Sequence, residues 1–269
     1  MRIPTAETLA EVLRPLTERP DRAGILLDVD GTLAPIVERA EEAHVPEAVA
    51  RLLAGLARRY RCVACISGRS AAEARRLVGV GRLAYAGSHG AELLEPGSAT
   101  ATILPTFASW TDRVREFAAE RDQRELRRLR VRIEDKGPIA AFHWRGAPDE
   151  GTARAAVAQI AEDAEAAGFA THWGRKVFEV RPPVPVDKGQ AVRELVRRYA
   201  LATALYAGDD ATDVDAFAAL TELTESGDLD AAVRIGVESE EGPREIVERT
   251  DLVVDGTAGV TCVLEALAG

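Results

Sequence analysis

Along the chain, short unbroken apolar runs alternate with stretches in which apolar residues recur every three or four positions. The runs are Ile25–Leu27, Cys62–Ile66, Leu83–Ala86, Leu201–Ala207, Arg234–Val237 and Asp251–Val254. Runs of this length read as strands covered on both faces, as in a parallel sheet. Between them, Leu9, Val12, Leu13 and Leu16 predict an amphipathic helix over 5–16, and Val49, Leu52, Leu53 and Leu56 predict one over 47–60. Further helices are expected over 71–78, 190–199, 243–248 and 260–268. Strand and helix in alternation make an α/β fold, with a Rossmann-like parallel sheet at its centre.

The pattern changes from Thr106. A charge-rich helix is predicted from Ser109 to about Gln123, then strands over 131–134 and 139–144, a helix from about Glu150 to Ala167, and strands near 169–173 and 176–180. Helix, two strands, helix, two strands is the order of a small α+β unit. Pro182, Pro183 and Pro185 mark a stiff exit from it. The expected organisation is a core formed by 1–105 and 183–269, with an inserted α+β cap over 106–182.

Composition narrows the class of protein. A chain of 269 residues, 46% hydrophobic and 29% charged, can bury a substantial core and is not of disordered type. Its net charge of -10 disfavours nucleic acid and anionic membranes as partners. Met1–Pro20 carries acids and prolines without an apolar stretch, so neither a signal peptide nor a membrane span is expected there, and the expected location is cytoplasmic. Three cysteines cannot frame a disulfide-stapled fold. Cys62 and Cys65 form half of a redox or zinc motif whose other half is absent, and they read as small buried hydrophobes. The Gly79-Val-Gly81 stretch follows a helix and precedes a strand, the wrong order for a dinucleotide fingerprint.

Chemistry-bearing residues collect at the carboxyl ends of the apolar runs, the edge where open α/β sheets bind ligands. Asp28 and Asp30, two residues apart after the first run, project to one side if the chain stays extended, and Gly31 allows a sharp turn beyond them. Their mutual repulsion is relieved by a hard divalent cation such as Mg²⁺. A calcium loop starting at Asp28 would want glycine and glutamate where Leu33 and Arg39 stand, and a plain Asp-Gly turn is the other reading. The second run delivers Ser67-Gly68-Arg69. Ser67 reads either as a phosphate contact or as the cap of the helix over 71–78, whose free N–H groups also favour an anion. His89, in Gly87-Ser-His-Gly, is either a satisfied loop histidine or a ligand contact. Lys188 opens a helix, where the dipole disfavours a cation unless it faces an anion. Asp209, Asp210 and Asp213 crowd three acids into five residues. In the insertion, Glu134, Lys136 and Glu179 read either as surface salt bridges or as donors and acceptors for sugar hydroxyls. The arginine run over 124–132 reads either as a solvated face or as an aid to attracting an anionic substrate.

Asp28-Val-Asp30-Gly-Thr32, Ser67, Lys188 and Asp209/Asp213, in this order around an insertion, resemble the four motifs of the haloacid dehalogenase superfamily. With Ile-Ser-Gly-Arg, Gly-Ser-His-Gly-Ala-Glu, Glu-Asp-Lys-Gly, Val-Asp-Lys-Gly and Gly-Asp-Asp-Ala-Thr-Asp added, nearly the whole chain resembles the trehalose-6-phosphate phosphatases. The resemblance implies hydrolysis of trehalose 6-phosphate, with Asp28 as nucleophile, Asp30 as acid and base, and Lys188 as charge neutraliser. It implies Mg²⁺ on Asp28, Asp30, Asp209 and Asp213. Phosphate or substrate contacts would come from Thr32, Ser67, Gly68, Arg69 and His89, and sugar contacts from Glu134, Lys136 and Glu179. A monomer is implied, with trehalose-6-phosphate synthase as a candidate partner. The chain departs from the pattern at Val214, where glutamate is expected. Other sugar phosphatases, of sucrose-phosphate or glucosyl-phosphoglycerate type, a phosphosugar mutase and a non-catalytic sugar-phosphate-binding domain stay open as alternatives.

Overall fold

A computed structural model of the chain describes residues 4–37, 43–121, 124–238 and 244–269. Arg39, Gln123 and Pro243, where a loop residue, a helix end and a helix start were expected, lie outside them.

The first unit comprises Met1–Ala101 and Asp187–Gly269. Helix α1 (Ala6–Thr17) begins where Thr5 accepts a hydrogen bond from Thr8 N, and it buries Leu9, Leu13 and Leu16. Strand β1 (Ala23–Leu27) is buried at every position, as is β2 (Cys62–Ile66), and α2 (Glu47–Arg59) crosses between them. Next come α3 (Ala71–Val78), β3 (Ala84–Gly87) and the short strand β4 (Glu92–Leu94); β5 (Thr102–Ile103) lies in the first residues of the second unit's stretch of chain. After the insertion, α7 (Lys188–Tyr199), β10 (Thr203–Gly208), α8 (Asp213–Glu225), β11 (Ala231–Glu238), α9 (Arg244–Glu248), β12 (Leu252–Asp255) and α10 (Gly256–Ala268) complete the fold.

The sheet has eight strands in the order β12-β11-β10-β1-β2-β3-β4-β5. From β12 to β3 every pairing is parallel, and β4 runs antiparallel to β3. Ile25 lies beside Leu205 on one side and Val63 on the other. This register carries the ends of β1, β2, β3 and β10 to one edge. Helices cover the sheet, and Leu13, Leu53, Leu56, Val78 and Leu264 join Ile25, Leu27 and Val63 in one apolar cluster. Cys62 and Cys65 are buried in it or beside it, and burial pushes the Cys62 thiol up to about 12. They are core residues, as their setting in an apolar run implied.

The second unit, Thr102–Val186, has its own core. It contains α4 (Pro105–Arg121), α5 (Arg124–Arg128), β6 (Arg132–Asp135), β7 (Ala140–His143), α6 (Glu150–Ala166), β8 (Ala170–Gly174) and β9 (Val177–Arg181). Its antiparallel sheet runs β6-β7-β9-β8. Phe142, Phe178 and Val180 pack with Val114 and Phe117 of α4 and Val157 of α6. The alternation of strands puts Glu179 and Arg181 on the other face.

Arg124, Arg127, Arg128, Arg130 and Arg132 are exposed, as a solvated face requires, and the first three lie on α5, which buried Leu126 anchors. Two features depart from the sequence expectations. Helix α8 follows the last acidic cluster, where no helix was expected. The cap of α3 is Ser70, not Ser67: Ser70 Oγ accepts from Glu73 N while Glu73 reaches back to Ser70 N, a reciprocal capping box. Among the described residues no helix is long and apolar enough to cross a membrane.

Candidate active site

The loop leaving β1 is held to β10 by Asp28 N, which donates to Ala207 O at 2.9 Å. Asp28 is therefore fixed by the sheet's own ladder. Lys188, in the first turn of α7, reaches it: Nζ donates to Asp28 Oδ1 at 2.6 Å and to Asp213 Oδ1 at 2.6 Å, with Asp210 at 3.9 Å. The helix is started by Asp187, whose carboxylate accepts from Gln190 N, so the lysine sits where its dipole opposes a cation. The two buried carboxylates outweigh that opposition. Burial works against the charged ammonium too, but Asp213 and Asp28 hold its pKa above the ordinary lysine value.

Asp28, Asp209 and Asp213 each offer an oxygen, all within 4.8 Å of one another, and all three residues are buried. Three carboxylates face one ammonium, which leaves negative charge uncompensated in a site of low dielectric. The consequence is visible in the acids: burial raises Asp28 well above the ordinary carboxylate range, and burial with the charges of Asp213 and Asp210 pushes Asp209 up to about 7. An all-oxygen donor set with excess negative charge fits a hard divalent cation. Thr32 Oγ1 donates to Asp209 Oδ1 at 3.3 Å, and Gly31, at φ +87°, passes so close that a Cβ there would lie 2.1 Å from Asp209 Oδ2.

A second cluster lies alongside. Arg69 grips Asp30 with two parallel hydrogen bonds, Nε to Oδ2 and Nη2 to Oδ1, both 2.7 Å. Ser67 Oγ accepts from Arg69 N at 3.1 Å, and Ser67 is buried. His89, at φ 57°, and Ser88, at φ 52°, hold an uncommon left-handed backbone at the end of β3. The His89 imidazole lies against Gly68, where a Cβ would come within 2.8 Å of the ring. The start of α3 is already engaged, since Ala71 N donates to Glu92 Oε1 at 2.7 Å. That carboxylate fills the role expected of an anionic ligand.

In the second unit, Glu134, Lys136 and Glu179 share a network. Lys136 Nζ donates to Glu179 Oε1 at 3.2 Å, and Arg181 donates to Glu179 Oε2 through Nε at 2.9 Å and Nη2 at 2.5 Å. Glu134 Oε2 lies 2.7 Å from His143 Nε2, and that bond lowers the Glu134 pKa despite burial. Pairwise register aligns Glu134 with Ala141, Ala141 with Glu179, and Glu179 with His172.

The structure thus brings Asp28, Lys188, Asp209, Asp213 and Thr32 into one group, Asp30, Ser67, Gly68, Arg69 and His89 into a second, and Glu134, Lys136 and Glu179 into a third on the other unit. Sequence reasoning missed Tyr206 and His143. Tyr206 carried a signal, because a phenol inside a fully buried strand needs a partner. His143 carried another: one residue before the end of the apolar run 139–144, it faces the same side as Ala141.

The parallel sheet and its strand-end acids with their lysine are those of the haloacid dehalogenase superfamily. A family model described as trehalose-phosphatase matches residues 26–248, and the chain belongs to that family. It is 33% identical over 261 residues to a trehalose-phosphate phosphatase of Mycobacterium marinum, covering 86% of this chain and 63% of that protein. It is 37% identical over 237 residues to an uncharacterized glycosyl hydrolase of Mycobacterium tuberculosis, covering 81% of this chain. The chain spans only 17% of that relative's length, so the likeness concerns a segment of it. A crystal structure of a trehalose-6-phosphate phosphatase related protein superposes with a TM-score of 0.67 at 25% identity, covering 91% of this chain and 96% of that one. The fold is shared with the trehalose-6-phosphate phosphatase of Aspergillus fumigatus, at a TM-score of 0.64 and 24% identity, covering 100% of this chain and 98% of that one.

Proposed function

We propose that the protein hydrolyses trehalose 6-phosphate to trehalose and inorganic phosphate by way of an aspartyl-phosphate on Asp28. The observation that carries the reading is the Asp28–Lys188 contact within a buried acidic cluster: a nucleophile oriented by a fixed ammonium at the end of a central strand. Family membership and the placement of the chain's strand-end groups support it.

A carboxylate oxygen of Asp28 attacks phosphorus, and the bond from phosphorus to the sugar oxygen breaks. Asp30 gives its proton to that leaving oxygen. The same residue then takes a proton from water as the water oxygen attacks phosphorus, and the bond to Asp28 breaks to free phosphate. Arg69 places Asp30 beside Ser67, and its bidentate grip, which favours the carboxylate, loosens when Asp30 takes up the proton it gives to the leaving oxygen. Lys188 and Ser67 balance charge on the phosphoryl oxygens. Asp28, Asp209 and the backbone carbonyl of Asp30 would hold Mg²⁺, with Asp213 in support; the ion, when bound, supplies electrostatic stabilisation of the phosphoryl group. The second unit acts as the specificity cap, with Glu134, Lys136 and Glu179 reading sugar hydroxyls.

Phosphate release from a panel of trehalose 6-phosphate, sucrose 6-phosphate, glucosyl-3-phosphoglycerate, glucose 6-phosphate and a small aryl phosphate tests the substrate. The first should give the highest kcat/KM. Asp28→Asn should lower release from every member to background, because an amide is a poor nucleophile. Preference for another sugar phosphate would overturn the substrate, and turnover by Asp28→Asn would overturn the mechanism.

A further inference from the structure

Asp213 is fully buried, and each of its oxygens is used twice. Oδ1 accepts from Lys188 Nζ at 2.6 Å and from Tyr206 O–H at 2.6 Å; Oδ2 accepts from Asp209 N and Asp210 N, both at 2.9 Å. A carboxylate offers about four lone-pair sites, and here each has a donor. Asp213 is thereby spoken for. The two backbone N–H bonds set the loop that presents Asp209, and the Lys188 bond sets the ammonium against Asp28.

Tyr206 completes this set from inside the sheet. It is fully buried in β10, and its ring meets Phe217 of α8 edge-on with centroids 5.7 Å apart, so the phenol has little freedom to turn away. Its neighbours β1 and β11 place Leu26 and Arg234 beside it in register. A hydroxyl in this position is costly to bury without a bond, and the bond it makes goes to Asp213, one of the two acids that accept a hydrogen bond from the lysine.

We propose that Tyr206 is a positioning residue: its O–H fixes the Asp213 carboxylate, which acts as the anchor of Lys188 rather than as a direct ligand of the metal. Inner ligation is then left to Asp28, Asp209 and the Asp30 backbone. In Tyr206→Phe, Asp213 keeps three of its four donors and Lys188 keeps its charge. Phosphate is still bound in the ground state, but the ammonium is no longer held in the single orientation that the transition state uses.

The proposal rests on the phosphoryl-transfer reading for its kinetic arm, and a metal-binding arm stands apart from it. Steady-state kinetics on trehalose 6-phosphate should show kcat of Tyr206→Phe reduced about 10-fold or more with KM changed less than about 3-fold, the split expected for an interaction made in the transition state. Calorimetric titration with Mg²⁺ alone should give Tyr206→Phe the wild-type dissociation constant. In the same titration Asp209→Asn should lose about 10-fold more affinity than Asp213→Asn, since only the former would remove a direct ligand. Thermal melts establish that each variant is folded, and if Asp213→Asn is not, Tyr206→Phe carries the test. An unchanged kcat, a loss of Mg²⁺ affinity in Tyr206→Phe, or equal losses in the two aspartate variants would each overturn the proposal. Wild-type protein that released no phosphate would refute the proposed function instead, and the titrations would still decide the division of roles.

Discussion

Gly31 and Asp209 are far apart in the chain and share one spot in space. At φ +87° the backbone of Gly31 already favours glycine, and the carboxylate of Asp209 occupies the place of the missing side chain. Gly31→Ala should therefore lower both the melting temperature and Mg²⁺ affinity, the second because Asp209 must move; unchanged Mg²⁺ binding by calorimetry would show that the close approach is not needed. Asp209 makes a further prediction through its titration. Its folded pKa lies near 7, against 3.8 in the ordinary case. Between these values the folded protein holds a proton that the unfolded chain has released, so the contribution of Asp209 to stability falls as pH rises through that window. A divalent cation takes the place of the proton. Added Mg²⁺ should therefore raise the melting temperature more at pH 8 than at pH 5, and in Asp209→Asn most of that difference should disappear.

Helix α3 shows how an element conveys order to a loop. Its capping box begins at Ser70, directly after Arg69, so the residue that grips Asp30 is tethered to a fixed helix start. Ser70→Ala should cost about 1 kcal/mol of stability, a typical loss for such a cap. It should also weaken turnover of trehalose 6-phosphate, whereas a stability loss with untouched kcat would separate Arg69 from the cap. At this scale much of the fold was legible. Continuous apolar runs announced β1, β2, β3 and β10, because strands covered on both faces need apolar residues at nearly every position; β11 and β12, partly exposed, showed only through the shorter apolar stretches at their centres. Asp28, Ser67 and Asp209 were legible because each follows such a run at one edge, and Lys188 because a cation at a helix start calls for an anion. Helix α8 was not, since its first turn, Asp213-Val-Asp215, reads as motif and loop before it reads as helix. The short β4 and β5 carry too few residues to show a period. The Arg69–Asp30 pair was hidden for another reason: each was noticed in its own loop, and only the adjacency of β1 and β2 makes them partners.

On the scale of the whole molecule, two apolar clusters belong to two stretches of chain, one interrupted by the other. In the proposed function, recognition and bond breaking fall to different sets of residues. Glu179→Ala should lower kcat/KM for trehalose 6-phosphate by ~10-fold to ~1000-fold and change that for a small aryl phosphate far less, since the latter has no sugar to lose. Equal losses on both substrates would return Glu179 to a purely structural role. The strand order has a consequence for synthesis. Strand β1, which leads into Asp28, can pair with β2 as soon as β2 leaves the ribosome, but Ala23 must wait for Thr203 on its other side. Until then the nascent chain presents an apolar strand edge, the kind of surface on which aggregation starts and which chaperones shield. Lys188, Asp209 and Asp213 emerge in that same late stretch. A chain that stops anywhere in the insertion therefore holds Asp28 without Lys188, Asp209 or Asp213, and in the proposed reaction such a product would be inert.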